Sequence, residues 1–331
     1  MANRFERLRE RTNDYTLTPA QYAWTAYIAL GALALIVMSG AAVRLTGSGL
    51  GCPHWPKCYG NVYPPLNTHA VIEFSNRLVT VPVSIAAIAA WVFALRRRPY
   101  RRDLTWLALA LPLGVLGQAV LGGLTVKGDL DYGWVMGHFA LSMIVVAAAA
   151  ALAWRATYEP NTRPLSADRI VTWSSRALLA LGALTIFAGT AATAAGPHAG
   201  GSPGQKINRL DFDGKGTMDF VIHRHGEIAL VFGLLAVGLW WLVRKRSDDP
   251  ILHRSLTVLC VLIALQGAVG LDQYETHLPT ELVWVHVSLA CLTWVAVLWS
   301  TLAAGSLEPQ IEASKDVKVA PQRGPNLDLS A

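Results

Sequence analysis

Eight apolar stretches constrain this chain more than any other feature. They fall at roughly 22–43, 70–95, 104–126, 133–155, 174–195, 217–243, 254–271 and 281–305. As a helix rising 1.5 Å per residue, a stretch of about twenty residues covers a hydrocarbon core of about 30 Å. Charged residues make up 15% of the chain, against about 25% for a soluble domain. The deficit is uneven, because arginines and lysines gather in short clusters between the apolar runs. That pattern predicts an all-α membrane protein of eight transmembrane helices. The net charge of +6 fits topology signals better than a nucleic-acid surface, since no basic stripe carries interleaved aromatics.

The clusters also predict orientation. Arg4, Arg7, Arg9 and Arg11 precede the first span, and Arg96, Arg97, Arg98, Arg101 and Arg102 join the second to the third. Arg155, Arg163 and Arg169 follow the fourth, and Arg244, Lys245, Arg246 and Arg254 lie between the sixth and seventh. With eight spans all of these fall on one side, which places both termini in the cytoplasm of a multi-pass plasma-membrane protein. The polar N-terminus (1–21) lacks the apolar core of a cleavable signal. The tail (306–331) carries Pro, Asp, Lys and Gln without periodicity and is expected to be disordered.

An internal repeat divides the chain. Gln118 and Gly122 are matched by Gln266 and Gly270, and His138 by His286, each at an offset of 148. Asn76-Arg77 matches His223-Arg224 at 147, and Leu30–Leu33 matches Leu181–Leu184 at 151. These matches predict two pseudo-symmetric four-helix bundles of like orientation, 22–155 and 174–305, joined by a cytoplasmic linker at 156–173. Asn76, His138, His223 and His286 then lie at similar depth on even-numbered helices, roughly 8–10 Å below the outer surface. Bundle interiors commonly hold cofactors on side chains of facing helices.

Ionisable residues inside spans are costly and usually functional. His223 and His286 are the candidate pair for the two axial positions of a b-type heme. His225 competes on the same helix, and the dipeptide match ranks it second. Arg77 and Arg224 are candidates for pairing with heme carboxylates, with snorkelling to headgroups as the plain alternative. Glu73 has Phe220 as its counterpart, so the acid belongs to the first half alone. It is either a catalytic carboxylate or the structural partner of Arg77, one helical turn on. Cys52 and Cys58 share an outer loop without zinc spacing and are expected to form a disulfide. Cys260 and Cys291 are expected to pack in the interior.

Taken in order, the loop TGSGLGCPHWPKC, the stretch IEFSNR, the segment GPHAG, the HR of the sixth span and the histidines of the fourth and eighth resemble the heme A synthase family. The resemblance covers nearly the whole chain outside its tails. It implies an oxidoreductase that converts the methyl group of heme O to the formyl group of heme A, for use in terminal oxidases. On that reading the second half binds a resident heme b through His223, His286 and Arg224. The first half takes the substrate heme O at His138, Asn76 and Arg77, with Glu73 as the catalytic acid and His223, His286 and His138 as iron ligands. Cys52 and Cys58 match a cysteine pair of one branch. Implied partners are a heme O synthase, terminal oxidase assembly, an unidentified electron donor and membrane lipid, with no nucleic acid. One departure stands out: the family pattern has His where this chain has Asn76, so either one axial position is open or His69 substitutes. The alternatives are a b-type cytochrome electron carrier without heme-modifying activity and a transporter. Ligands confined to one depth weigh against the first, and missing midplane charges against the second.

Overall fold

The computed structural model describes residues 15–61, 63–160, 168–202, 204–212 and 216–305. The expected N-terminal tail up to residue 14, linker residues 161–167 and the tail from 306 lie outside them, with Arg4, Arg7, Arg9, Arg11 and Arg163. The described chain is all α: α1 (Pro19–Leu45), α2 (Thr68–Arg96), α3 (Arg102–Lys127), α4 (Tyr132–Thr157), α5 (Arg169–Ala195), α6 (Thr217–Arg246), α7 (Pro250–Glu275) and α8 (Thr280–Ala303). All eight are long and apolar enough to cross a membrane. The seventh extends several residues beyond the expected 254–271 at both ends.

Local signals set most starts. Thr18 and Gln21 form a reciprocal capping box with Pro19 in the first turn of α1. The side chains of Asn67, Asp131, Asp168 and Asp249 accept backbone N–H groups at the starts of α2, α4, α5 and α7. Such caps satisfy donors that the helix itself leaves open.

Packing follows the repeat. Within the first half α1 touches α2, α2 touches α3, α3 touches α4, and α4 closes back on α1. Helices α5 to α8 close in the same cyclic order. The halves meet through α1, α4, α5 and α8. Trp154 of α4 and Trp299 of α8 stand edge to face at 5.0 Å, and the Trp294 indole N–H donates to the Met143 carbonyl at 2.9 Å. Large apolar side chains such as Ile85, Leu113, Leu116, Leu234 and Val258 face outward, as expected where hydrocarbon replaces water.

The basic clusters converge on one end of the bundle. Fully buried Arg97 pairs with Glu159 beyond α4. Arg101 bonds Asp103 at 2.7 Å and the Arg155 carbonyl at 2.8 Å, and Arg246 bonds Asp168 at 2.8 Å. The opposite end carries the Cys52–Cys58 loop and residues 196–202 and 204–212. There two glycine-rich segments cross between the halves: Gly49 N–H donates to the Gly200 carbonyl at 2.8 Å and Ser202 Oγ to the Gly47 carbonyl at 3.0 Å. Gly47 has a φ of +66°, and a Cβ there would meet the Gly201 oxygen at 2.9 Å. Only glycine allows this crossing.

Asp168 both caps α5 and receives Arg246, whose guanidinium, with the Ile170 and Val171 N–H groups, holds its carboxyl below the usual carboxylate range. A depressed folded-state pKa stabilises the fold above the ordinary carboxylate value of about 4, and this is lost as pH falls through the folded value. Asp168→Ala should lower thermal stability at neutral pH by about 1 kcal/mol. Melting curves in detergent should show that difference shrinking below roughly pH 4.

Candidate functional site

The interior at the loop end of the second half is built around two imidazoles. His286 of α8 and His225 of α6 have ring centroids 6.2 Å apart with planes at 80°. Metal–imidazole bonds of about 2 Å on opposite sides of one ion set two centroids roughly 6 Å apart. The His225 Nδ1 donates to the Thr185 carbonyl at 3.1 Å. That bond fixes the proton on Nδ1 and leaves Nε2 as the basic nitrogen, the form in which histidine binds a metal. The His286 Nδ1 is buried without a partner among the described residues.

Glycines make room for these rings. A Cβ on Gly189 of α5 would meet the His225 Cε1 at 3.0 Å, and one on Gly270 of α7 would meet the His286 Cε1 at 3.1 Å. Each imidazole lies against a helix with no side chain in the way. Gln266 of α7 donates to the His286 carbonyl at 3.1 Å and ties α7 to α8 beside the ring.

His223, expected to lead this site, is elsewhere. It is exposed, its Nδ1 donates to the Asp219 carbonyl at 2.7 Å, and its ring stands against Tyr274 at 6.2 Å. Two residues along an α-helix turn a side chain through about 200°, so His223 and His225 cannot serve the same face. Arg224 also faces out, pairing with exposed Glu227 at 2.7 Å over the ring of Phe220. The structure therefore brings His225 to His286 in place of His223, and gives Arg224 a carboxylate on its own helix.

The first half repeats the frame with one change. His138 of α4 lies over Gly122 of α3, whose Cβ would meet its Cε1 at 3.3 Å, and its Nδ1 is likewise buried without a partner among the described residues. Gln118 donates to the His138 carbonyl at 3.0 Å, matching Gln266 and His286. Asn76 stands on α2 and accepts from the Ser39 hydroxyl of α1 at 2.7 Å. It comes eight residues after the first residue of α2, and His225 eight after the first of α6. His225, not His223, is thus the counterpart of Asn76. His69 lies two turns outward and its Nδ1 is 3.0 Å from the Ser48 hydroxyl, which holds it at the loop rather than beside Asn76.

Glu73 and Arg77 mount the loop over this half. One Glu73 oxygen accepts the Cys52 N–H at 2.7 Å, and the other pairs with Arg77. Arg77 also donates to the carbonyls of Cys52, His54 and Pro56. Glu73 is buried, three residues before Asn76 on the same helix face. The loop lays the partly exposed Trp55 on α3: a Cβ on Gly123 would meet its ring at 2.8–3.0 Å. Gly122 and Gly123 therefore receive His138 and Trp55 on adjoining faces of α3. Neither Trp55 nor Gly189 is legible from spacing, because both contacts join distant segments.

Among the described residues no three His, Cys, Asp or Glu side chains gather to cage a bare metal ion. A porphyrin brings four ligand nitrogens of its own and asks the protein for one or two axial groups. The His225/His286 spacing, the glycine floors and the buried bare imidazole nitrogens fit that demand.

The Cys52 and Cys58 sulfurs are at bonding distance, 2.02 Å, and both residues are fully buried beneath the loop. Alkylation of freshly purified protein without reductant should leave both sulfurs unmodified, and reduction should expose both to the reagent. Free thiols at both positions before reduction would contradict the pairing.

Known proteins resemble this chain over half or more of its length. A heme A synthase of Shewanella oneidensis is 26% identical over 330 residues, covering 84% of this chain and 97% of that protein. A heme A synthase of Lysinibacillus sphaericus is 32% identical over 174 residues, covering 50% of this chain and 56% of that protein. A protoheme IX farnesyltransferase of Thermus thermophilus is 28% identical over 305 residues, covering 87% of this chain and 48% of that protein. The chain thus spans about half the length of the last two relatives. The model of the cytochrome oxidase assembly protein family (COX15-CtaA) matches residues 23–298, a span that holds every site residue described above. This eight-helix membrane chain belongs to the cytochrome oxidase assembly protein family.

Proposed function

We propose that this protein is a membrane oxidoreductase that oxidises the methyl group of heme O to the formyl group of heme A. The observation that carries the reading is the facing pair His225 and His286, 6.2 Å apart, in a half whose frame recurs around His138. One frame used twice gives a resident site and a substrate site. The second half (174–305) holds a resident heme b between His225 and His286, and the first half (22–155) takes heme O at His138. When bound, the resident heme supplies one-electron transfer.

The chain's own residues do the rest. The Thr185 carbonyl orients His225, while Gln266 and Gln118 hold the backbones that carry His286 and His138. The Trp55 loop lies across α3 beside His138. Glu73 fixes that loop through Cys52 and Arg77, and its charge lies one turn outward from Asn76. We read it as a positioning residue for the substrate half, since both of its oxygens are engaged. The basic end of the bundle is cytoplasmic, which puts both heme sites and the disulfide loop near the outer face. A heme O synthase upstream, a terminal oxidase downstream and an electron donor are the partners this chemistry requires.

Purified protein should show a low-spin reduced spectrum that is lost in His225→Ala and in His286→Ala and kept in His223→Ala. Loss only in His223→Ala would return the ligand role to that residue. For the reaction itself, pigments extracted from a host that makes heme O and expresses this chain should contain heme A. A host carrying His138→Ala should accumulate heme O instead, and heme A made at the wild-type level there would refute the assignment.

Glu73→Gln removes one charge-assisted bond, about 1.5–3 kcal/mol. Heme A output should fall roughly tenfold or more, with the resident heme spectrum intact. Joint loss of fold and resident heme would instead make Glu73 a general structural residue.

A further inference from the structure

We propose that the first half offers its heme a single histidine, His138, and that Asn76 with Ser39 forms a polar wall beside the iron's open position, where a small neutral ligand such as a diatomic gas binds. The proposal rests on the reading that substrate heme occupies the first half.

The two halves supply their own comparison. At an offset of 149, Asn76 corresponds to His225, Gly40 to Gly189, Ile36 to Thr185 and Ser39 to Ala188. In the second half the His225 imidazole covers Gly189 and donates to the Thr185 carbonyl. In the first half the Ile36 carbonyl, the counterpart of that acceptor, is 3.1 Å from the Ser39 hydroxyl. That hydroxyl also donates to Asn76 Oδ1 at 2.7 Å. The serine thus occurs only in the half that has the asparagine, and its single O–H lies between Asn76 Oδ1 and the backbone acceptor that the imidazole uses in the other half.

Space changes with chemistry. A Cβ built on Gly189 would strike His225, whereas one built on Gly40 meets nothing within 4 Å. Asparagine is shorter than histidine and leaves that volume open. A neutral carboxamide is a far weaker iron ligand than an imidazole, so replacing the second ring frees one axial position. Polarity and hydrogen-bond donors on the open side of a heme govern which small ligands bind there. With Oδ1 taken by Ser39, the Asn76 NH2 group supplies two such donors.

The test uses the full chain carrying its resident heme, reconstituted with heme O, reduced, and titrated with carbon monoxide. Wild type should bind one carbon monoxide per two hemes, at a high-spin heme O, with the resident heme spectrum unmoved. Asn76→His should turn heme O low-spin and slow carbon monoxide binding at least tenfold. Asn76→Leu should keep carbon monoxide binding but shift its stretching frequency, as loss of a nearby donor requires, and Ser39→Ala should give a smaller shift. Heme O that is retained through His138 yet low-spin and inert to carbon monoxide in wild type would overturn the proposal and leave the substrate-site reading standing. An unmoved stretching frequency in Asn76→Leu would overturn the role of the amide. Heme O binding that survives unchanged in His138→Ala would overturn the placement of the substrate heme, and this proposal with it.

Discussion

The arrangement depends on one contact, an imidazole ring laid against a helix at a glycine. Gly122, Gly189 and Gly270 each receive a histidine ring 3.0–3.3 Å from where a Cβ would stand, tighter than most side-chain contacts. Bare helix surface lets the helices approach closely while a planar ring stands between them. Neighbouring hydrogen bonds then fix what the ring presents. The Thr185 carbonyl accepts from the His225 Nδ1–H, and Gln118 and Gln266 hold the turns that carry His138 and His286. A larger residue at any of these glycines would push ring or helix away and alter the site.

The two halves use that contact differently. In the second, both sides of the interior carry a ring over a glycine. In the first, one ring remains and the other side holds an amide, a hydroxyl and open space over Gly40. The asymmetry extends outward, because only the first half carries Glu73, the Arg77 hydrogen bonds and a loop that seats Trp55 on Gly123. A duplicated frame with one closed and one modified copy is what a protein needs if one heme is to stay and the other to be altered. The glycine crossing of residues 47–49 with 200–202 links the two halves at their loop end.

Much of this was legible in the sequence. Apolar spans are long enough to be read one by one, and Gln, Gly and His at constant spacing exposed the repeat because α3 and α7, like α4 and α8, start 148 residues apart. His225 was harder. The match of Asn76-Arg77 to His223-Arg224 is a match of letters, while the face of a helix is set by where the helix starts. The expected start of α6 at 217 is the observed one, but α2 begins at Thr68 rather than 70, and that two-residue difference sets the wrong histidine against Asn76. Glu73 was legible as an asymmetry but not in role, since its partner Cys52 N–H comes from a loop 21 residues away. Arg224 illustrates the same limit, because its partner Glu227 is an exposed neighbour that the repeat does not reveal.

The central claim is that one iron sits between α6 and α8 on His225 and His286. An electron cryo-microscopy map of the heme-loaded protein tests it directly. The account predicts a porphyrin edge-on between those helices, with a nitrogen of each of the two histidines at bonding distance from the iron and His223 outside against Tyr274. A map with His223 on the iron and His225 turned away, or with no porphyrin between α6 and α8, would contradict it.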